Sequence, residues 1–175
     1  MVDAEAALRK RIKDLPDYPK KGVIFRDITP LLKDREGFRL CVDELAKRLD
    51  PDGIDYVVGI ESRGFIVGAA LAYAMGKGFI PVRKKGKLPR KTVSVDYELE
   101  YGTETIEVHE DSVERGSRVL IADDLLATGG TAAAAADLMS RLGADVVGFA
   151  FVVELGYLNG IERLNGAKVT TLVKY

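Results

Sequence analysis

Asp123 and Asp124 stand side by side between an apolar run (Val119, Leu120, Ile121, Ala122) and a turn made of Ala127, Thr128, Gly129, Gly130 and Thr131. Short apolar runs of this kind are strands buried on both faces of a parallel sheet. Open α/β sheets bind ligands at the carboxyl ends of their strands, which is where the two carboxylates fall. The turn leads into an alanine-rich helix. The first N–H groups of a helix lack intrahelical partners and carry partial positive charge, so they form a ready anion site. Gly129 and Gly130 let successive N–H groups curl toward one ion, and Thr128 and Thr131 add hydroxyl donors. The turn reads as a phosphate cradle, and the carboxylates beside it suit ribose hydroxyls. Neither GxxxxGK[ST] nor GxGxxG occurs, which excludes those two phosphate-binding loops.

Three further groups of residues have chemistry to offer. Glu61, Ser62, Arg63 and Gly64 follow an apolar run, 54–60, and open a second helix. Small residues with an Arg at a helix start suit a second anion; the alternative is a surface salt bridge from Arg63 to Glu61. Arg83, Lys84 and Lys87 belong to a nine-residue stretch, 83–91, in which six residues are basic. In isolation such a run is a solvated loop, but beside two anion sites it reads as a lid for a polyanion. Near the start of the chain, Phe25, Arg26 and Asp27 place an aromatic, a cation and an acid together. That set suits a small planar ligand, and equally a strand edge with a paired Arg.

The elements that must position these groups follow from hydrophobic period and punctuation. Residues 4–13 read as a short charged helix capped by Asp3, broken by the prolines at 16 and 19, with an extended segment over 23–32. Asp34 caps a helix reaching about Leu49, with an apolar stripe of Phe38, Cys41, Val42, Leu45 and Leu49. Strands are expected at 54–60, 79–83, 146–153 and 169–173, and helices at 65–75, 132–142 and 158–164. The alternating stretch 92–109 is a hairpin turning through 101–104. It interrupts the strand–helix alternation and is expected to project as a flap. Its acids Glu98, Glu100 and Glu104 are candidates for proton transfer, and residue chemistry alone does not choose among them. The fold class is α/β: a doubly wound, mainly parallel sheet flanked by helices, with a β-hairpin flap and an N-terminal hood. One domain is expected over 1–175, with the hood at about 1–33 and the basic loop and flap at about 83–110.

Composition narrows the classes. The 175 residues suffice for a sizeable core, with 47% hydrophobic and 30% charged residues. No apolar run is long enough for a membrane span, and residues 1–14 lack a signal-peptide core. A net charge of −1 disfavours a general nucleic-acid binder. The single Cys41 cannot form an intrachain disulfide, so a reducing, cytoplasmic setting is expected; packing suits it better than reactivity. The single His109 lacks the companions a metal site needs, and no metal ligand set is expected from the protein alone.

The run 119–131 resembles the phosphoribosyl pyrophosphate (PRPP) signature of the type I phosphoribosyltransferases, and its spelling is most similar to their adenine-specific branch. The resemblance extends from Phe25 to Leu155 and beyond. It implies transfer of phosphoribose from PRPP to adenine, giving AMP and pyrophosphate in purine salvage. By that match Ala127, Thr128, Gly129, Gly130 and Thr131 hold the 5′-phosphate, and Asp123 and Asp124 the ribose. Glu61, Ser62 and Arg63, with Arg83, Lys84 and Lys87, take the pyrophosphate, and a cis peptide is expected at Glu61–Ser62. Phe25, Arg26 and Leu155 enclose the adenine. Glu100 is the carboxylate at the reacting centre. Mg²⁺ is implied as cofactor, bound mainly through PRPP or pyrophosphate, and the family usually forms homodimers, with the basic loop reaching a neighbour's site. Two rivals stay open: transfer to a 6-oxopurine or another base, and a PRPP-sensing regulator without turnover.

Overall fold

The computed structural model describes residues 3–99 and 102–175, the Leu99 side chain aside. In chain order, α1 (Ala4–Arg9) is followed by β1 (Lys13–Pro16), β2 (Ile24–Asp27), α2 (Thr29–Lys33), α3 (Arg35–Arg48), β3 (Tyr56–Ile60) and α4 (Arg63–Met75). Then come β4 (Gly78–Lys84), β5 (Thr92–Leu99), β6 (Gly102–His109), β7 (Arg118–Leu126), α5 (Gly130–Arg141), β8 (Asp145–Glu154) and β9 (Val169–Lys174). The main sheet has the order β5-β6-β4-β3-β7-β8-β9. β4, β3, β7, β8 and β9 run parallel.

Side chains alternate across a strand, and the sheet feeds two apolar cores. Val57, Leu120, Ala122 and Ala150 pack on one face with Leu45 of α3 and Leu71 of α4. Val58, Ile121, Phe149 and Phe151 pack on the other with Ala135 and Leu138 of α5. This sandwich is what makes the central strands apolar throughout. Asp34 caps α3 by accepting the Gly37 N–H, and Gly76 ends α4 in the left-handed conformation.

Several local expectations need correction. The first helix stops at Arg9, and residues 13–16 form a strand paired antiparallel with β2. The segment expected to be extended over 23–32 becomes helical from Thr29, with Pro30 inside the first turn, where its missing N–H costs nothing. The hairpin does not simply project: its root joins the sheet through Arg83 opposite Glu107 and Lys84 opposite Ile106. Its strand β6 already begins at Gly102, directly opposite Leu99. The expected helix over 158–164 is two 3-10 turns, Gly156–Leu158 and Gly160–Leu164.

Candidate active site

β7 runs on through Leu126, so Asp123 and Asp124 lie within the strand rather than beyond it. Pairing with β8 continues to Leu126 opposite Glu154. The Leu155 N–H then donates to the Leu126 carbonyl at 2.9 Å, which seats Leu155 beside the 127–131 turn. α5 starts at Gly130 with Gly129 as its N-cap, at φ +81°, and no side chain caps it. Among the described residues no side-chain cap reaches the first-turn amides of α5. These amides line a small cavity of about 80 Å³ with Asp123, Thr128, Thr131 and Phe151.

The turn is backed at its closest points by backbone. A side chain at Gly129 would collide with the Gly160 carbonyl, and one at Gly160 with the Ala127 carbonyl. Gly160 was not visible as a site residue in the sequence. Its partners lie some thirty positions away and meet it through main-chain atoms, which leave no compositional trace.

A polar cavity of about 440 Å³ adjoins the turn. Its walls bring together Glu61, Ser62, Arg63, Lys84, Asp123, Asp124, Ala127 and Thr131 from four separate segments. Glu61–Ser62 is a cis peptide. Arg63 occupies the first position of α4, and Gly64 beside it packs so closely on β7 that a Cβ there would lie 2.7 Å from Asp123 Oδ1. Arg63 Nε donates to Asp124 Oδ2 at 2.5 Å, and Asp124 is almost fully buried. The Arg63–Glu61 salt bridge weighed from sequence is thus replaced by a pair across the cavity. Glu61 instead accepts from Arg83 Nε at 3.2 Å and from the Lys84 N–H at 3.0 Å. Burial pushes the Glu61 carboxyl up, but these donors outweigh it and hold the group below its usual range. Burial and the adjoining Asp124 charge push Asp123 well above the usual carboxylate range.

Tyr97 and Glu104 also line the polar cavity; Tyr97 was not singled out from sequence, and Glu104 was one of three acids weighed for proton transfer. They face each other across the hairpin, and the Tyr97 hydroxyl donates to Glu104 at 3.0 Å. Counting outward from Leu99 opposite Gly102 would have paired them. Lys84 Nζ donates to Glu104 at 2.7 Å; that bond raises the Lys84 pKa and lowers that of Glu104. Arg83 and Lys87 do not line this cavity; Arg83 donates to the Lys87 carbonyl at 3.2 Å. The buried Glu107 accepts the N–H groups of Gly86, Lys87 and Leu88 at 3.0–3.2 Å. The basic stretch is therefore pinned by an internal carboxylate at its centre. Glu100 lies outside the described residues.

A second, apolar cavity of about 620 Å³ opens beside the first, walled by Phe25, Arg26, Leu155, Tyr157 and Leu158. The two cavities share Arg63, Leu125 and Ala127. Tyr18 packs edge-on against Phe25, with ring centroids 5.2 Å apart. Cys41 is buried and its thiol is pushed up to about 12 by desolvation, so it stays a packing residue. Among the described residues no cluster of three or more His, Cys, Asp or Glu could hold a metal ion. No helix among them is long and apolar enough to cross a membrane.

The family described as the phosphoribosyl transferase domain matches residues 32–165. Over 168 residues the chain is 55% identical to the adenine phosphoribosyltransferase of Thermotoga neapolitana, a match that covers 96% of this chain and 99% of the relative. The crystal structure of adenine phosphoribosyltransferase from Thermoanaerobacter pseudethanolicus matches with a TM-score of 0.94 at 48% identity, covering 97% and 99% of the two chains. The enzyme of Saccharomyces cerevisiae, solved with adenine and D-2,5-dideoxy-2,5-imino-altritol 1,6-bisphosphate, matches with a TM-score of 0.93 at 39% identity, covering 98% and 99%. The family match spans most of the chain and the relatives match it nearly end to end, so the chain belongs to the phosphoribosyltransferase family, in its adenine phosphoribosyltransferase branch.

Proposed function

We propose that this chain transfers the 5-phosphoribosyl group of PRPP to adenine, forming AMP and pyrophosphate for purine salvage. The observation that carries this reading is the shared wall of Arg63, Leu125 and Ala127 between the apolar slot and the polar cavity. A base in the slot would meet the anomeric carbon of a sugar held in the cavity. The yeast relative binds adenine together with a bisphosphorylated imino-sugar, and the two cavities here offer a compartment for each.

The roles divide by chemistry. Amides of the 127–131 turn hold the 5′-phosphate, which takes no part in bond breaking but fixes the reacting carbon. Asp123 and Asp124 accept from the ribose hydroxyls. The C1′–oxygen bond breaks toward pyrophosphate, leaving an oxocarbenium-like carbon that N9 of adenine attacks. Arg63 and Lys84 stabilise the charge gathering on the leaving group, with Ser62 and the Glu61 backbone beside them. Arg83 and Lys87 would serve it from the basic loop. The N9 proton passes to the Glu100 carboxylate. Phe25, the backbone near Arg26, and Leu155 enclose the base.

Mg²⁺ would be held mainly by the oxygens of PRPP or pyrophosphate, beside the hard oxygen donors of the cavity, and would add positive charge next to the pyrophosphate. A homodimer is supported by the outer face of α4, where Ile66 is 45% and Tyr73 90% exposed, and a cytoplasmic location by the free thiol. Incubation with PRPP, Mg²⁺ and each purine base, assayed for pyrophosphate and nucleotide, tests the reaction. Adenine alone is expected to react. Turnover with a 6-oxopurine instead would reassign the base, and PRPP binding without any nucleotide would favour the sensor.

A further inference from the structure

We propose that Tyr175, the residue following β9, is a positioning residue that sets the spacing of the adenine slot. It touches both walls. On one side its carbonyl accepts the Gly156 N–H at 2.8 Å, and its own N–H donates to the Glu154 carbonyl at 2.9 Å. These bonds bracket Leu155. On the other side its ring lies under the Arg26 guanidinium, 3.8 Å from the ring centre. Arg9 approaches the same ring at 4.3 Å, and its guanidinium donates to the Lys174 carbonyl at 2.5 Å.

Arg26 has few other supports. Its side chain is 11% exposed and ion-paired with Asp14 on β1, while its buried Nε has no hydrogen-bond partner. A buried guanidinium in that position depends on the aromatic face and on Asp14 to hold its place. Because Arg26 and Leu155 both wall the slot, one residue outside the slot fixes the gap between them. The Tyr175 hydroxyl hydrogen-bonds Arg9, while Arg26 lies over the ring face, so the face is assigned the positioning.

The inference rests on adenine occupying the apolar slot. Wild-type turnover with adenine tests that reading; the difference between variants and wild type tests the clamp. Tyr175→Ala is expected to raise KM for adenine about five- to tenfold while KM for PRPP stays within about twofold, the loss of one cation–π support at a partly desolvated site. Tyr175→Phe is expected to restore the adenine KM to within about twofold of wild type, since it keeps the face under Arg26. An unchanged adenine KM in Tyr175→Ala overturns the proposal. So does a parallel rise in both KM values, or a Phe variant as impaired as Ala. Should Tyr175→Ala fail to fold by circular dichroism, Asp14→Asn decides. It loosens Arg26 from its other side, and an adenine-selective rise supports the clamp while an unchanged adenine KM rejects it.

Discussion

At the α5 end of the polar cavity the groups proposed to hold an anion are backbone amides, set by a left-handed Gly129 and braced by Gly160. At the α4 end they are side chains already engaged with carboxylates: Arg63 with Asp124 and Lys84 with Glu104, with the Arg83–Glu61 pair behind them. The contrast matches two demands. A phosphate that stays put through the reaction is best met by donors that cannot move. A group that arrives, gains charge and departs is better met by cations that exchange partners, because the internal carboxylates keep them in place between turnovers. Rigid donors need no reorganisation, whereas a pair as exposed as Lys84–Glu104 is worth little and is readily traded.

The contrast is broken most severely at the backbone end. Gly160→Ala is expected to lower kcat/KM for PRPP by about 100-fold or more and to lower Tm, since no side-chain rotation relieves a clash with the Ala127 carbonyl. Near-wild-type kinetics in that variant would show that the turn has slack. Next comes Asp124→Asn, which removes a charge-assisted bond worth roughly 1.5–3 kcal/mol, or about 10- to 100-fold in PRPP use. Unchanged PRPP kinetics would remove Asp124 from the ribose site.

A third test uses pH. The Asp123 pKa is raised in the folded protein. Its contribution to stability is therefore full below the ordinary carboxylate value and is lost as pH rises through the raised folded value. Asp123→Asn is expected to melt with wild type in acid and to gain Tm over it as pH rises toward neutrality, while using PRPP less well. Parallel Tm–pH curves for the two proteins would contradict the burial and charge argument. The smallest effect belongs to Glu104→Gln. Freeing Lys84 from an exposed pair is expected to lower KM for PRPP by about two- to threefold at low salt. A rise in KM would mean that Glu104 assists binding instead of competing for Lys84.

Legibility in the sequence follows the same division between local and distant causes. The central strands, the 127–131 turn and the 61–63 loop were readable because each is written in contiguous residues with a clear period or punctuation. β1 was missed because Lys13, Asp14, Leu15 and Pro16 show no alternating pattern worth the name, and the strand exists through pairing with β2. The hairpin was read, but its fusion to β4 and the Tyr97–Glu104 pair depend on register, which a slip of one residue would invert. Glu107 looked like one more acid in an alternating run. Only its neighbours across the sheet reveal three amides on one carboxylate. Phe25, Arg26 and Leu155 were assigned together through family resemblance, since residues 130 positions apart carry no local sign of facing one another.

The crossing of Gly129 and Gly160 has a consequence for how this site can change over time. A clash between two side chains can be repaired by trimming either one, and so leaves two routes back. Here both partners are already as small as a residue can be, and each would strike main-chain atoms of the other segment. A substitution at either position therefore has no compensating substitution at its partner. Only a change in chain length or path across 156–164 could accommodate it, which makes this pair a point where the lineage can lose the turn but cannot gradually redesign it.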